Sequence, residues 1–296
     1  MDSNCAGLVN FGNTCFMNAS IQLLMCARVL GGFMDFCSKY LSNSDINKYA
    51  QTWSDYMNIE TKLLGPKIMY HRYMVLNKNY IGFTQEDSHE FLTFTLDDIY
   101  EQIKISLANS ELDNNKRQEI LDEANKIYRL KFSQKVNYTN TSNAEYAKPS
   151  ISEVFENILT LPIESNCLTL DDCIKLYMSQ TEPEFTIEYS LINPPKYIFV
   201  GLKRFKCTQT HIQKIISPID VPFETTSFDS KSTYELKSFI IHQGGVFGGH
   251  YYAYGKRIID GQSKWFCFND SNISEASLET ISNESKQAYV LLYGRK

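Results

Sequence analysis

Cys15 is the residue of this sequence best placed to act as a nucleophile. It follows a turn that contains Gly12 and Asn13, and it directly precedes an apolar run with helical periodicity. A thiol at that position is expected to be exposed, with the amides and the dipole of the helix start lowering its pKa. The sequence therefore predicts a thiolate that attacks carbonyl carbons, which requires a base, an orienting group and oxyanion donors elsewhere.

His250 is the candidate base. It follows QGGVFGG, residues 243–249, whose four glycines permit close approach to a bound chain and the motion of a gate. The turn signal Asp260-Gly261 separates the strand-like run that His250 opens from a second one that ends at Asn269. Pairing His250 with Asn269 centres the hairpin between residues 259 and 260, about one residue from the turn signal. We therefore expect the two side chains to be cross-strand neighbours on one face.

Asn269 beside His250 predicts the orienting member of a catalytic triad. Its side-chain oxygen can accept from one ring nitrogen, which leaves the other nitrogen free to take the thiol proton. Asp270, the next residue, supplies a negative charge to the imidazole if the backbone presents it there.

The remaining histidines and cysteines are expected to be structural or solvated, the cysteines mainly as small buried hydrophobes: His71, His89, His211, His242, Cys5, Cys26, Cys37, Cys167, Cys173, Cys207 and Cys267.

Size and composition exclude several classes of protein. With 296 residues, 43% of them hydrophobic, the chain can bury a full core in one large or two modest domains. A net charge of -5 without a stripe of lysine and arginine argues against nucleic acid as a partner. No apolar stretch approaches the roughly 18 residues of a membrane span, and the first residues do not form a secretory signal. The 8 dispersed cysteines indicate free thiols in a reducing, intracellular compartment, cytoplasm or nucleus.

The predicted elements divide the chain into a helical part and a later, strand-rich part. Apolar residues at helical spacing predict helices over 18–28, 85–103 and 120–130. Residues 137–143 are expected to form a loop or hairpin tip, and Thr169 with Asp172 marks a helix start. Helices first and strands later predict an α+β fold, with the active site in a cleft between a helical lobe and a largely antiparallel one. Strands are expected over 154–163, 197–205, 234–242, 250–257, 265–269 and 288–293.

Five separated segments resemble the motifs of the ubiquitin-specific proteases, in the order that this family has them. GLVNFGNTCFMNAS, residues 7–20, is similar to the family's cysteine box, whose pattern is close to GLxNLGNTCYMNS. QEDSHEFL at 85–92 resembles QQDAQEFL, and LKRF at 202–205 matches the family's LKRF strand. Residues 234–251 resemble the histidine box, while WFCFND and AYVLLY, between residues 265 and 293, resemble the closing strands. The motifs span nearly the whole chain.

The resemblance implies a fold and a reaction. The fold is that of a papain-like cysteine peptidase in one catalytic domain, with a helical thumb (1–132), β fingers (133–192) and an antiparallel β palm (193–296). The reaction is hydrolysis of the (iso)peptide bond after the C-terminal glycine of ubiquitin, through a thioester. The expected partner is ubiquitin or a ubiquitinated protein, and the chain is expected to act as a monomer.

The resemblance also implies roles for single residues. Cys15 matches the family's nucleophile, His250 its general base and Asn269 the third member of its triad. Asn10 matches a side chain of the oxyanion hole. Further matches concern the substrate: Asp87 corresponds to an aspartate that hydrogen-bonds the extended ubiquitin tail, and Gly248, Gly249 and Tyr251 correspond to elements that close over it.

No metal or cofactor is expected. Many family members bind a structural zinc through two CxxC pairs, but this chain has no CxxC, and Cys167 and Cys173 have neither the spacing nor a second pair. Asn269 in place of aspartate occurs within the family and need not abolish activity. Two alternatives remain open: a protease for another ubiquitin-like modifier, and an inactive module that binds ubiquitin without cutting.

Overall fold

The computed structural model describes most of the chain. Residues 139–143 of the expected loop tip, and also His211, lie outside the described residues. Helices come first and strands later, so the α+β class predicted from the order of the elements is confirmed. The described residues are 5–41, 43–58, 63–80, 82, 84–138, 149–207, 212–246 and 248–296.

The first part of the chain forms a helical lobe. It contains β1 (Gly7–Leu8), α1 (Cys15–Leu24), α2 (Arg28–Tyr40), α3 (Ser44–Asn58), β2 (Leu63–Leu64), α4 (Lys67–Leu76), α5 (Ser88–Ala108) and α6 (Asn114–Tyr128). All residues of α1 are buried, because this helix packs against α5 and against a strand of the large sheet. Within the described ranges no single helix is long and apolar enough to span a membrane; α1 and α2 reach that length only as a pair, which is bent by 89°.

Aromatic side chains fix the start of α1 within the helical lobe. The ring centroid of Phe16 lies 5.8 Å from those of Tyr73 on α4 and Phe91 on α5. Tyr73 in turn lies 5.1 Å from Phe91. Such tilted and edge-on ring contacts stabilise a packed cluster beyond the burial of its area. They hold the first turn of α1, and with it Cys15, in a rigid setting.

The rest of the chain is mainly strand. Its elements are β3 (Leu130–Tyr138), β4 (Ser150–Glu156), β5 (Ile158–Leu161), α7 (Leu170–Met178), β6 (Ser179–Thr181), β7 (Phe185–Ile192), β8 (Tyr197–Leu202), β9 (Phe205–Cys207), β10 (Ile212–Lys214), β11 (Glu224–Thr225), β12 (Tyr234–Gly245), β13 (Gly248–Ile259), β14 (Gln262–Asn269), β15 (Asn272–Ala276), α8 (Leu278–Glu284), a 3₁₀ turn (Ser285–Gln287) and β16 (Ala288–Arg295).

Most of these strands form two sheets. The large sheet has the order β15-β14-β13-β12-β16-β8-β5, with β11 also paired to β12. Its neighbours are antiparallel except for β5 and β8, which run parallel. A separate sheet has the order β4-β3-β7-β6, and two further pairs are β9 with β10 and β1 with β2. The largely antiparallel second lobe expected from the sequence is therefore present.

Both faces of the large sheet are buried along its inner strand β8. Along β8, Tyr197 and Phe199 belong to the core shared with the helical lobe. Ile198 and Val200 belong to a second core that includes residues of α7. Successive side chains of a strand point to opposite faces, so a run of apolar residues fills both cores. One face of the sheet thus packs directly against the helical lobe and fixes its position.

The hairpin of β13 and β14 carries the predicted His250 and Asn269, but its register differs from the predicted one. Ala253 pairs with Phe268 and Ile259 with Gln262, which centres the turn between residues 260 and 261. Both turn residues have positive φ, 50° and 73°, as a two-residue type I′ turn requires. The shift from the predicted pairing is two residues along one strand. Since side chains alternate with a period of two, His250 and Asn269 stay on one face and become diagonal neighbours.

Two other predictions have mixed outcomes. The capping box at the start of α7 is present, because the Thr169 hydroxyl accepts from the Asp172 N–H while the Asp172 carboxylate accepts from the Thr169 N–H. The single strand predicted over 154–163 is wrong, since β4 and β5 belong to different sheets. Asn157 separates the two strands, and its side-chain amide donates to Asp97 of α5 at 2.5 Å. The end of β3 also continues to residue 138, into the predicted loop.

Candidate active site

Cys15 is the first residue of α1, and the turn before it is built as expected. Gly12 and Asn13 have φ values of 99° and 54°, a left-handed conformation that glycine and asparagine tolerate best. The side-chain oxygen of Asn10 accepts from the N–H groups of Gly12 (2.9 Å) and Thr14 (3.1 Å). It also accepts from the Thr14 hydroxyl at 3.1 Å. Asn10 therefore shapes the turn that delivers Cys15 to the helix start.

The environment of Cys15 corrects the expectation of an exposed thiolate. The residue is only 3% exposed, because α1 lies between the helical lobe and the large sheet. Burial raises the pKa of the thiol, and the nearby negative charge of Asp270 raises it further. The backbone N–H groups of Tyr251, Phe16 and Cys15 itself lower the pKa but do not compensate for the burial. At neutral pH the Cys15 side chain is thus a neutral thiol in this state.

His250 and Asn269 are brought together as predicted. His250 Nε2 lies 2.6 Å from Asn269 Oδ1. Because Oδ1 can only accept, Nε2 carries the hydrogen, and Nδ1 of the neutral ring is left as an acceptor. Tyr252 stacks on the imidazole with a centroid distance of 6.4 Å and an interplanar angle of 24°. Within the described residues no hydrogen bond joins His250 to Cys15, although the thiol is bonded to the backbone of the adjacent Tyr251.

Among the described residues no hydrogen bond or ion pair joins Asp270 to the imidazole, and its partners lie in the cysteine turn and α1. Asp270 has φ 51°, and its carboxylate accepts from the side-chain amides of Asn10 at 2.9 Å and Asn18 at 2.7 Å. Its carbonyl accepts from the Leu8 N–H at 2.8 Å. The possible role beside His250 is therefore replaced by a different one: Asp270 holds Asn10 and the start of α1 to the end of the hairpin. One of the two amide hydrogens of Asn10 remains to serve an oxyanion.

Asp87 connects the helical lobe to the sheet. One carboxylate oxygen caps α5 by accepting from the N–H groups of His89 (2.7 Å) and Glu90 (3.2 Å). The other accepts from the hydroxyls of Tyr251 (3.2 Å) and Tyr289 (2.6 Å). Burial and the Asp87 charge both raise the pKa of each tyrosine, so both hydroxyls stay protonated and donate. Asp87 is thereby fixed at the base of the cleft between the lobes.

The glycines expected in a loop lie instead in the paired ends of β12 and β13, where Gly244 pairs with Gly249 and Gly245 with Gly248. Gln85 holds this glycine-rich hairpin end against the helical lobe. The Gln85 side chain donates to the Gly249 carbonyl at 2.5 Å and accepts from the Gly249 N–H at 3.0 Å. A Cβ on Gly249 would lie 2.3 Å from His242 Nε2, so this position admits only glycine without displacement of His242. We call this contact between Gln85 and Gly249 the Gln85–Gly249 crossing, and the adjacent Gly248 is exposed beside it. The glycine-rich hairpin end therefore connects the two lobes close to His250.

A cavity of 490 Å³ lies beneath this crossing. Its lining includes Gly248, Tyr251 and three carboxylates, Glu86, Asp87 and Glu90, and no lysine or arginine among the described residues. Burial and the two neighbouring carboxylates raise the pKa of Glu90. Tyr251, which lines the cavity, hydrogen-bonds the Cys15 thiol through its backbone, so the cavity lies next to the candidate nucleophile and its acidic lining favours a cationic ligand.

Three residues of this site escaped the sequence reasoning: Gln85, Tyr289 and His242. His242, expected to be structural or solvated, lines the cavity and packs 4.6 Å from the Tyr251 ring. Burial lowers the pKa of His242 to about 4, and the charges of Lys214 and His250 act in the same direction. A signal for Gln85 existed, since it opens the segment that contains Asp87. Tyr289 gave none, because only the fold brings it beside Asp87.

The other cysteines do not form a metal site in the part of the chain that is described. Cys167 and Cys173 are both buried, 4% and 0% exposed, in the core around α7. Burial and the neighbouring Cys167 raise the pKa of Cys173 to about 12, so it packs as a neutral thiol. Over the described ranges no group of three or more histidine, cysteine, aspartate or glutamate side chains is arranged to hold a metal ion.

Comparison with solved structures identifies the fold. A structure of the SAGA Ubp8/Sgf11/Sus1/Sgf73 DUB module bound to ubiquitin aldehyde superposes with a TM-score of 0.79 and 21% sequence identity. The match covers 100% of this chain and 71% of that one. The predicted papain-like arrangement of helical lobe and antiparallel sheet is confirmed by this neighbour.

Comparison of sequences identifies the family. Bovine (Bos taurus) ubiquitin carboxyl-terminal hydrolase 2 is 25% identical over 340 residues, covering 97% of this chain and 54% of the relative. Drosophila melanogaster ubiquitin carboxyl-terminal hydrolase Usp2 is 25% identical over 330 residues, covering 98% of this chain and 34% of the relative. The chain thus spans about half or less of these relatives. Residues 6–293 match the model of the family described as ubiquitin carboxyl-terminal hydrolase. The chain belongs to this family, and the resemblance to ubiquitin-specific proteases is confirmed.

Proposed function

We propose that this protein is a thiol protease that hydrolyses the (iso)peptide bond after the C-terminal glycine of ubiquitin. The observation that carries the proposal is the 2.6 Å bond between His250 Nε2 and Asn269 Oδ1. This bond assigns the hydrogen to Nε2 and leaves Nδ1 as a base on β13, next to the glycine-rich hairpin end. Both the family match and the cavity beside Tyr251 support this function.

The reaction begins with transfer of the Cys15 proton to His250 Nδ1. The sulfur then attacks the carbonyl carbon of the terminal glycine, and the oxyanion is stabilised by the free amide hydrogen of Asn10 and by backbone N–H groups at the start of α1. The intermediate collapses with cleavage of the C–N bond as His250 returns its proton to the departing lysine amine. Water, deprotonated by His250, hydrolyses the thioester and releases the ubiquitin carboxylate and the Cys15 thiol.

The cavity supports an extended tail as the substrate segment. Its acidic lining, with Glu86, Asp87 and Glu90, complements the arginines of the ubiquitin tail. The Gln85–Gly249 crossing narrows its roof, which favours the two small glycines at the end of that tail. The solved structure of the SAGA module was obtained with ubiquitin aldehyde bound, a ligand of the kind proposed here.

The resting geometry requires a rearrangement before chemistry. The thiol is buried and its pKa is raised, and the described contacts include no hydrogen bond from it to the imidazole. Tyr252 stacks on His250 within β13, next to the glycine-rich hairpin end. We propose that the bound tail shifts this hairpin end and brings Nδ1 of His250 within hydrogen-bond distance of the Cys15 sulfur. Nucleophile formation then depends on substrate, as expected for a site completed by induced fit.

The test is a ubiquitin probe with an electrophilic C-terminus, run beside probes built on other ubiquitin-like modifiers. We expect covalent labelling of the wild type but none of Cys15→Ala. The control is Cys267→Ala, which removes another cysteine, on β14 of the hairpin that carries His250 and Asn269, and should be labelled like the wild type. Capture by another modifier's probe without labelling by the ubiquitin probe would assign the protein to that modifier. Saturable ubiquitin binding without labelling of the wild type would make it a binding module.

A further inference from the structure

A second cavity, of 380 Å³, lies where the end of α1 meets the large sheet. Its described lining contains a single carboxylate, that of Glu235. The charge of the lining is therefore strongly positive although the whole chain carries -5. The cationic side chains that line it come from α2, from the residue before β8, and from β12, β13 and β16: Arg28, Lys196, Lys237, Lys256, Arg257 and Arg295.

Arg257 is the most unusual of these cations. It is only 2% exposed, and no described carboxylate lies within ion-pair distance of its guanidinium. Its two terminal nitrogens donate to neutral acceptors: the Cys26 sulfur (2.7 Å), the Gln22 side-chain oxygen (2.8 Å) and the Tyr56 hydroxyl (3.2 Å). Its Nε has no partner. The Phe268 ring, whose centroid lies 4.4 Å from the guanidinium carbon, stabilises the cation but does not neutralise it, so the buried charge has no counter-ion among the described residues.

Four of the other cations have described partners that supply only one negative charge among them. Glu235 takes up two of them, since its carboxylate pairs with both Lys237 and Lys256. Lys196 donates to the carbonyl of Arg295 at 2.6 Å, and Arg295 donates to the carbonyl of Pro194 at 3.1 Å. Carbonyl acceptors satisfy hydrogen bonds but do not neutralise charge. The lining therefore attracts an anion of more than one negative charge.

We propose that this cavity binds a small polyanion of the phosphate class. Its volume lies within the roughly 300–1,000 Å³ of small-molecule sites and is too small for a folded partner. Guanidinium and ammonium groups converging from several strands are the donors that phosphoryl oxygens prefer, and the buried Arg257 cation adds its charge to the lining. A phosphate-bearing ligand supplies the counter-ion that the described protein groups do not.

The position of the cavity connects this ligand to the catalytic elements. Arg257 lies on β13, seven residues after His250, and donates to the backbone and side chain of Gln22, seven residues after Cys15 on α1. A bound anion therefore holds the far ends of the two elements that carry the candidate nucleophile and base. Because the ligand binds the folded state, it also raises the unfolding temperature. Neither effect depends on the identity of the protease substrate.

Calorimetric titration of the full chain with pyrophosphate, at constant ionic strength, tests the proposal. We expect saturable binding with one site per chain, weakened about tenfold or more by Lys196→Glu. Lys104→Glu, an exposed lysine of α5 that makes the same charge change outside the cavity, should bind as the wild type does. Arg257→Met removes the buried positive charge and should weaken binding, whereas Arg257→Lys, which keeps the charge, should bind more tightly than Arg257→Met when both chains unfold cooperatively.

Three results would overturn the proposal. One is the absence of saturable heat from pyrophosphate with a chain that still unfolds cooperatively. Another is an equal loss of affinity in Lys196→Glu and Lys104→Glu, which would indicate diffuse electrostatics. The third is saturable binding of a phosphoserine peptide by a chain that does not bind pyrophosphate. Because no readout is proteolysis, failure here leaves the proposed deubiquitinase activity untouched.

Discussion

Removal of the Asn269 side chain tests the proposed triad most directly. In Asn269→Ala the imidazole loses the acceptor that lies 2.6 Å from Nε2, so both tautomers become populated and the ring is free to rotate. Hydrogen bonds that involve a charged group contribute about 1.5–3 kcal/mol, and the imidazole becomes charged once it takes the thiol proton. This corresponds to a fall in kcat of about 10- to 150-fold.

The assay is hydrolysis of a fluorogenic amide at the C-terminus of ubiquitin. Asn272→Ala is the matched control. Asn272 is exposed on β15, where it pairs with Asn269 of β14, and no described hydrogen bond joins it to His250. Ubiquitin affinity, measured in a Cys15→Ala background, should be the same with Asn269 or Ala at position 269. Asn269→Asp should stay active, with the acidic limb of its pH–rate profile moved to higher pH because a carboxylate stabilises the imidazolium.

Two outcomes would refute this reasoning about Asn269. If kcat falls less than about threefold in Asn269→Ala, the bond does not act in the transition state. If Asn272→Ala loses as much activity as Asn269→Ala, the effect comes from the edge of the sheet and the orienting role is wrong.

Further predictions concern the Gln85–Gly249 crossing, a buried histidine and a helix cap. Gly249→Ala places a Cβ 2.3 Å from His242 Nε2, so kcat/KM for ubiquitin substrates should fall about tenfold or more. Gly32→Ala is the control, because nothing lies within 4 Å of its new Cβ, and its kcat/KM should be unchanged. Equal losses of kcat/KM in both variants would refute a role of the Gln85–Gly249 crossing in substrate binding. His242, whose pKa falls from 6.5 to about 4 on burial, binds more protons unfolded than folded between those pH values. The free energy of unfolding should therefore decrease by up to about 3 kcal/mol as pH falls from 6.5 to 4, with a weaker dependence in His242→Gln by urea denaturation. Thr169→Ala removes the hydroxyl that accepts from the Asp172 N–H and should lower the unfolding free energy by about 1 kcal/mol at unchanged kcat, whereas a changed kcat would link α7 to the site.

The sequence predicted the parts of the site that depend on local chemistry. The turn before Cys15, the Asp260-Gly261 hairpin turn and the Thr169 cap each follow from backbone preferences of single residues. The register error has a specific origin: the turn residues alone place the centre between 260 and 261, as observed, whereas requiring His250 and Asn269 to lie directly opposite displaced it. A diagonal pair reaches across as well as a direct one.

What the sequence could not give depends on tertiary packing. The start of α1 carries the predicted N–H groups, but burial between the lobes outweighs them and raises the pKa of Cys15. No local signal separates β4 from β5, because only the fold assigns one strand to the small sheet and the next to β8. Tyr289 meets Asp87 across 202 residues of chain, a contact that no spacing rule predicts.

The burial of Cys15 bears on how the protein withstands oxidants. Peroxide attacks thiolates far more readily than thiols, and it must reach the sulfur. A neutral thiol that is 3% exposed is therefore shielded from peroxide while the protein is idle. In the proposed mechanism Cys15 ionises only once substrate is bound, so sulfenylation should occur mainly in molecules that are turning over substrate. Oxidative damage to this protein would then track the flux of its substrate more closely than the concentration of peroxide.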